Sequence, residues 1–244
     1  GIGMPALYND EVVCPALEDI GIPPVDSHNY CLNGCNQIDI FGKSHMGLED
    51  GDISLAKCLE LTLHNGYCPK QQKALGKSTG DPTKFGSYED LWNAYREQLE
   101  YVVDLAVQGA NQAQELYAIH APNPWRSNLI QGCIETGRDY KARGPVYGHG
   151  QFLTEGLADA VNSLAVLKHF VFDTGKYTME QVMDALNHDY QGYEQMQQEF
   201  LQFEKFGNDN EYVDQIAADV QKHYFGYLLT KETWRGGIYG GGYS

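Results

Sequence analysis

Apolar residues recur at three- and four-residue spacing along most of the chain, and that pattern predicts a helix-rich fold. Asn9 or Asp10 caps a short helix through Glu18, stopped by Gly21 and Pro23-Pro24. Asp52 caps a helix with Ile53, Ala56, Leu59 and Leu63 on one face, and Gly66 stands at its C′ position. Ser87-x-x-Asp90 resembles a capping box, with Asp for the usual Glu or Gln, and opens a long helix carrying Leu91, Tyr95, Leu99, Val102 and Ala106. Asn123-Pro124 reads as the N-cap and first residue of a helix that Gly137 ends. Residues 155–173 carry Leu157, Val161, Leu164 and Lys168 in a mostly apolar stripe. Thr178-x-x-Gln181 forms another capping box, and Asn208-Asp209 caps a last helix with Val213, Ile216, Val220 and Tyr227.

Strand signals are few and short: 29–32, 38–41 and 146–153. Short strands alternating with helices predict an α/β arrangement with a parallel sheet. The polar stretch 68–86 reads as an exposed loop, and there is no internal repeat.

Charge narrows the function classes. The chain has 17 Lys and Arg against 33 Asp and Glu, a formal net charge of −16. Such a surface repels a phosphate backbone and an anionic membrane, which excludes nucleic acid and lipid as expected partners. No apolar run approaches the roughly 18 residues of a membrane span, and no signal peptide is visible, so a cytoplasmic protein is expected. Cys14, Cys31, Cys35, Cys58, Cys68 and Cys133 lack zinc-site spacing, and reduced thiols are the better reading. The chain opens Gly1-Ile2-Gly3-Met4-Pro5 and closes on a glycine-rich run without a charged tail, which reads either as a piece of a longer polypeptide or as an ordinary small protein with unusual termini.

Between two candidate strands lies Asn33-Gly34-Cys35-Asn36-Gln37. A cysteine after glycine at a tight turn is either a reactive thiol facing a cavity or a small buried apolar residue, and spacing alone favours the second. Gly42-Lys43-Ser44 lacks the preceding glycine of a phosphate-binding loop. The polar run 42–52 reads as a loop at the mouth of a sheet or a solvated turn.

Taken in order, these segments resemble the glycyl radical enzymes, the pyruvate formate-lyase-like family. Gly3 to Val13 is similar to the segment before the active-site loop, and Tyr30 to Gln37 to the loop bearing the radical cysteine, usually Gly-Cys-x-Glu. Leu55 to Gly66 resembles the helix that follows, and Leu129 to Gly137, Gly156 to Leu167, Gly207 to Asp214 and Arg235 to Ser244 resemble later segments. The C-terminal glycyl-radical motif and the long N-terminal part are absent, Gln37 replaces the usual Glu, and no Cys-Cys pair is present.

The resemblance implies a single segment, 1–244, forming the helix-rich central part of a ten-stranded α/β barrel with the active-site cysteine on an inward loop. It implies a radical lyase of the dehydratase or decarboxylase kind, incomplete and inactive as this chain alone. In such an enzyme Cys35 is catalytic as a thiyl radical that abstracts hydrogen from a small substrate for C–C, C–O, C–N or C–S cleavage. Gln37, His45, Glu49 and Glu155 are the substrate-binding candidates. Gln37 can only hydrogen-bond, so Glu49, or else Asp50, His45 or Glu155, would supply any base, Glu49 being the best placed. The implied cofactor is a glycyl radical on a missing segment, installed by a radical-SAM activating enzyme; no bound cofactor or metal is expected. Expected partners are the substrate, that activating enzyme, the missing N- and C-terminal parts and a second copy in a homodimer. The alternative is a non-catalytic helical binding module derived from such an enzyme.

Overall fold

The computed structural model describes residues 7–33, 37–45 and 50–243. Helix α1 (Asp10–Asp19) starts where Asn9 Oδ1 accepts the Glu11 amide at 3.0 Å. The short α2 (Pro24–Ser27) follows Pro23. Strands β1 (Tyr30–Asn33) and β2 (Gln37–Ile40) form a hairpin, close to the predicted 29–32 and 38–41. The hairpin is antiparallel, which corrects the expected parallel pairing. The reason is the connection: a turn of three residues can only reverse the chain, whereas parallel strands need a long crossover.

Strand β3 (Gly51–Ser54) runs directly into α3 (Leu55–Leu63). Asp52 is therefore a strand residue and not the cap; Ser54 Oγ accepts the Lys57 amide at 3.2 Å instead. Strands β4 (Tyr67–Cys68) and β5 (Lys73–Ala74) make a second antiparallel pair within the mostly exposed 68–86 stretch. Helix α4 (Tyr88–His120) is 33 residues long and opens with the predicted box, Asp90 N donating to Ser87 Oγ at 3.2 Å and Ser87 N to Asp90 Oδ2 at 3.0 Å.

The helix expected over 124–136 is two short helices, α5 (Pro124–Ser127) and α6 (Cys133–Thr136). Between them Gly132 takes φ +96°, which α-helix does not allow. Strand β6 (Gly150–Glu155) starts later than predicted and leads to α7 (Leu157–Leu167), which continues as a π-helical turn over Lys168–Asp173. Helix α8 (Met179–Asn187) carries the Thr178/Gln181 box as expected, α9 covers Glu194–Gln202, and α10 covers Glu211–Leu228. The cap of α10 falls on Asn210, whose Oδ1 accepts the Tyr212 amide at 3.1 Å, rather than on Asn208-Asp209. Strand β7 (Tyr239–Tyr243) completes a three-stranded sheet in the order β3-β6-β7.

The chain divides into two compact units. The first comprises Gly1–Asp52, Ala106–Leu153 and Leu228–Ser244, and it holds the hairpin. The second comprises Ile53–Leu105 and Thr154–Tyr227. Its core is built from the inward faces of α3, α4, α7 and α10, with Leu55, Tyr95, Leu99, Val161, Leu164 and Val220 buried. No helix among the described residues is long and apolar enough to cross a membrane.

Candidate functional site

The hairpin register frames the candidate cysteine. Asn33 pairs with Gln37 and Cys31 with Asp39, so three residues, of which Cys35 is the second, join the strands. Cys35 itself, with Gly34 and Asn36, lies outside the described residues, as does Glu49 within 46–49. Residues opposite one another in an antiparallel pair share a face, and faces alternate along each strand. Cys31, Asn33, Gln37 and Asp39 therefore occupy one face of the hairpin and Tyr30, Leu32, Ile38 and Ile40 the other. Gln37 and Asp39 are both buried. Asp39 was not among the residues singled out by sequence, although its period-two relation to Gln37 carried the signal. Burial, reinforced by Asp39, pushes the Cys31 thiol above its ordinary range, so the thiol beside the loop stays neutral.

The base of the hairpin is clamped by charge. Lys43 Nζ stands 2.5 Å from Asp26 Oδ1, and Tyr147 donates its hydroxyl to Asp26 Oδ2 at 2.6 Å. The Tyr147 amide donates to the Lys43 carbonyl at 3.0 Å, and the Gln131 amide to that of Gly42 at 2.8 Å. The Lys43 and Tyr147 donors hold the buried Asp26 carboxyl below the usual carboxylate range.

His45 closes this turn half-buried, stacked on Tyr140 with ring centroids 5.2 Å apart. Arg126 covers the same tyrosine, its guanidinium carbon 4.6 Å from the ring centroid. Burial first, then the cations Arg235, Arg126 and Lys141, push His45 down to about 3, so it is neutral at physiological pH. His149, stacked with Tyr147 at 6.2 Å, is also held low, chiefly by burial. Its Nδ1 accepts the Ile238 amide at 3.2 Å, which requires a lone pair there and leaves the proton on Nε2.

A second polar cluster surrounds Asp50, the first described residue after 46–49. Arg235 NH1 and NH2 reach its two oxygens at 3.0 and 2.9 Å. Gln114 Nε2 donates to Oδ1 at 2.9 Å and the Gln151 amide to Oδ2 at 3.1 Å. Gln114 also donates to the Tyr239 hydroxyl at 2.8 Å, and that hydroxyl donates to Asn111 Oδ1 at 2.9 Å. Four donors thus occupy the Asp50 carboxylate. Arg235, Gln114 and Tyr239 were not found by sequence reasoning, because their partners lie far along the chain. The available hint was a lone charge: Arg235 is the one ionisable side chain among the non-tyrosine residues from 233 to 244.

Glu155 ends β6 as an exposed residue of the second unit. That unit contains a cavity of about 680 Å³ with Leu59, His64, Asp159, Tyr190 and Lys205 in its wall. Among the described residues, Gln37, His45 and Glu155 do not line it.

A family model described as pyruvate formate lyase-like matches residues 1–243. The chain is 35% identical over 240 residues to trans-4-hydroxy-L-proline dehydratase of Clostridioides difficile, covering 98% of this chain and 30% of that protein. It is 31% identical over 225 residues to isethionate sulfite-lyase of Oleidesulfovibrio alaskensis, covering 90% of this chain and 27% of that one. The fold superposes on the crystal structure of the Clostridioides difficile hydroxyproline dehydratase with its substrate bound, with a TM-score of 0.93 and 32% identity, over 98% of this chain and 30% of that chain. The chain thus spans less than a third of the length of these relatives.

Proposed function

Because this chain belongs to the pyruvate formate lyase-like family of glycyl radical enzymes, we propose that it is the cysteine-bearing portion of a radical lyase acting on a small polar substrate. The observation that carries this reading is the hairpin register: Asn33 pairs with Gln37, so only three residues, with Cys35 the middle one in sequence, connect the strands. In a complete, activated enzyme, a glycyl radical installed by a radical-SAM partner outside this sequence would supply the radical equivalent. Cys35 gives up its thiol hydrogen atom, takes one from a substrate C–H bond, and returns it once a neighbouring C–O, C–C, C–N or C–S bond has broken. Each transfer breaks one bond to hydrogen and makes another; the Cys35 thiyl left after the return would recover its hydrogen from the same glycine, restoring both the thiol and the stored radical.

This chemistry needs a neutral thiol away from water, and the raised Cys31 thiol on the same hairpin supports such surroundings. Gln37, buried and unable to ionise, orients a polar substrate group through its carbonyl and amide. With Asp50 engaged by four donors, Glu49 is the base this reading requires. His45, neutral and half-buried, is a hydrogen-bonding partner rather than a charge. The ten-stranded barrel belongs to the complete enzyme in this proposal. Fourteen of the eighteen exposed large apolar side chains among the described residues fall in the first unit, including Phe41, Trp125, Leu129 and Ile134. Exposed apolar side chains in that number support cover by further chain in the whole protein.

The test uses the full-length protein, activated anaerobically and offered trans-4-hydroxy-L-proline, then isethionate. Turnover is expected with one of these probes, with loss below detection in Cys35→Ser and an unchanged glycyl radical signal by electron paramagnetic resonance. Normal turnover in Cys35→Ser would overturn the assignment. A glycyl radical without turnover of any small substrate would favour a non-catalytic module.

A further inference from the structure

Four large apolar side chains stand exposed among the described residues of the second unit. Two of the four, Leu186 at 37% and Leu201 at 62% exposure, belong to the wall of the cavity of about 680 Å³. Buried Leu59, Leu63, Val166 and Val182 extend that wall as an aliphatic lining. A volume of this order suits a small organic molecule, and an aliphatic wall favours an alkyl body.

Two polar residues of the wall meet at Phe200. Tyr190 follows α8, where Asp189 and Tyr190 take left-handed conformations in succession, at φ +50° and +58°, which side chains other than glycine seldom adopt. Its ring stands edge-on to Phe200 with centroids 6.3 Å apart, and its hydroxyl has no hydrogen-bond partner among the described residues. Burial raises that phenol, so it stays a neutral donor. Lys205 follows α9 and donates from Nζ to the Phe200 carbonyl at 2.9 Å and to the Phe203 carbonyl at 2.6 Å. These two bonds cap the end of α9 and leave the third N–H unused. Among the described residues no carboxylate stands within ion-pair distance of Nζ, and burial pushes the ammonium below the ordinary lysine value. The wall's own carboxylates are placed otherwise. Glu60 pairs with Lys57, and Asp159 is exposed in the first turn of α7, where the helix amides favour it.

We propose that this cavity binds a small carboxylate with an alkyl body. The carboxylate takes the unused N–H of Lys205 and the Tyr190 hydroxyl, and the alkyl chain lies along Leu59, Val166, Leu186 and Leu201. The charge left without a counter-ion in an aliphatic wall is what selects an anion over a neutral apolar ligand. The site stands whether or not Cys35 carries the chemistry assigned to it above.

The probe is octanoate, titrated calorimetrically into the full-length protein without activation. A Kd below about 1 mM is expected. Hexanoate should bind about tenfold more weakly for the two methylenes lost, and 1-octanol about tenfold or more weakly for the missing charge. Tyr190→Phe is expected to weaken octanoate by about three- to tenfold, and Leu186→Trp, which adds bulk to the wall, to abolish binding. Lys205→Met should weaken octanoate by about tenfold or more and leave 1-octanol unchanged. Because Lys205 also caps α9, Tyr190→Phe and Leu186→Trp decide the matter if Lys205→Met fails to fold. Absence of octanoate binding to the parent protein, as expected if other chain fills the cavity, would overturn the proposal. So would equal affinity for octanoate and 1-octanol, or octanoate binding that Tyr190→Phe and Leu186→Trp leave unchanged.

Discussion

Lys43 and Asp26, from the turn after β2 and the helix α2, meet at 2.5 Å with Tyr147 completing the carboxylate's shell at 2.6 Å. This contact ties the base of the cysteine hairpin to two distant parts of the first unit. Because these donors hold Asp26 below the roughly 3.9 of a free Asp, its contribution to stability is present above that pH and lost as pH falls through the folded-state value. Lys43→Met is expected to destabilise at pH 7, and the gap to the parent should close toward pH 3 as Asp26 takes up a proton. Tyr147→Phe should do the same to a smaller extent. Urea unfolding at pH 7, 5 and 3 measures both gaps; a Lys43→Met gap that is constant with pH contradicts the clamp.

His45 gives the opposite kind of dependence. Its folded value is pushed down to about 3, against roughly 6.5 for free histidine. Between those values the unfolded chain binds the extra proton, so acidification from pH 6.5 to 3 costs stability. His45→Phe keeps a ring against Tyr140 and removes the titration. The variant is expected to lose less stability than the parent between pH 7 and pH 4, and parallel acid limbs would refute this.

Much of the helical content was legible because caps are local. Asn9, Ser87 and Thr178 each bond an amide two or three residues on, and no other part of the chain decides the matter. The start of α3 was misplaced because Asp52 and Ser54 are both competent caps, and the choice between them is made by pairing of β3 within its sheet. The two strands flanking Cys35 were legible to within a residue: Asn33 and Gln37, read as part of the connection, pair with each other at the end of the hairpin. The clamps were not. Asp26 and Tyr147 are 121 positions apart, Asp50 and Arg235 185, and no spacing rule reaches that far. The parallel sheet failed in the hairpin for a related reason, since strand direction follows from the length of the connection and not from strand composition.

Gly150 offers a packing test that needs no substrate. A methyl group there would overlap both Asp50 Oδ2 and the Tyr239 ring, each 2.5 Å from the ideal Cβ position. Gly150→Ala is expected to destabilise by about 1–3 kcal/mol through displacement of these groups. A thermal midpoint at or above the parent's would show that the Asp50 cluster can yield at no cost.

The exposed apolar residues of the first unit predict the behaviour of this chain by itself. Trp125 is 80% and Phe41 74% exposed, and large apolar side chains left in water favour association. The 244-residue chain is expected to self-associate in sedimentation velocity and to bind an apolar dye. Trp125→Lys with Phe41→Lys should reduce both signals without altering helix content. A monomer that melts cooperatively and ignores the dye would contradict the proposal that further chain covers this unit.

Gln37→Glu probes the site most directly. Gln37 is 5% exposed and shares its hairpin face with Asp39, two residues along and also 5% exposed. A carboxyl group placed there is desolvated and faces a like charge, and both effects raise its pKa. A raised folded value means the variant is near parental stability below about pH 4.3 and loses stability as pH climbs through that value. By pH 8 the loss should amount to roughly 2–4 kcal/mol for a folded value raised by about 1.5–3 units, and to more if the folded carboxyl is still protonated there, since only the unfolded chain has then ionised. Catalysis should follow the same direction: the protonated form still donates a hydrogen bond, whereas the ionised form cannot. KM for trans-4-hydroxy-L-proline in the full-length enzyme is therefore expected to rise with pH across 6 to 8 in the variant and to stay flat in the parent, with the Cys35 thiol competent in both. Denaturation at pH 5 and 8 and the two KM profiles provide the measurement. Equal stability at both pH values together with faster turnover would show that position 37 accepts a working carboxylate, and that glutamine there orients substrate in place of a base.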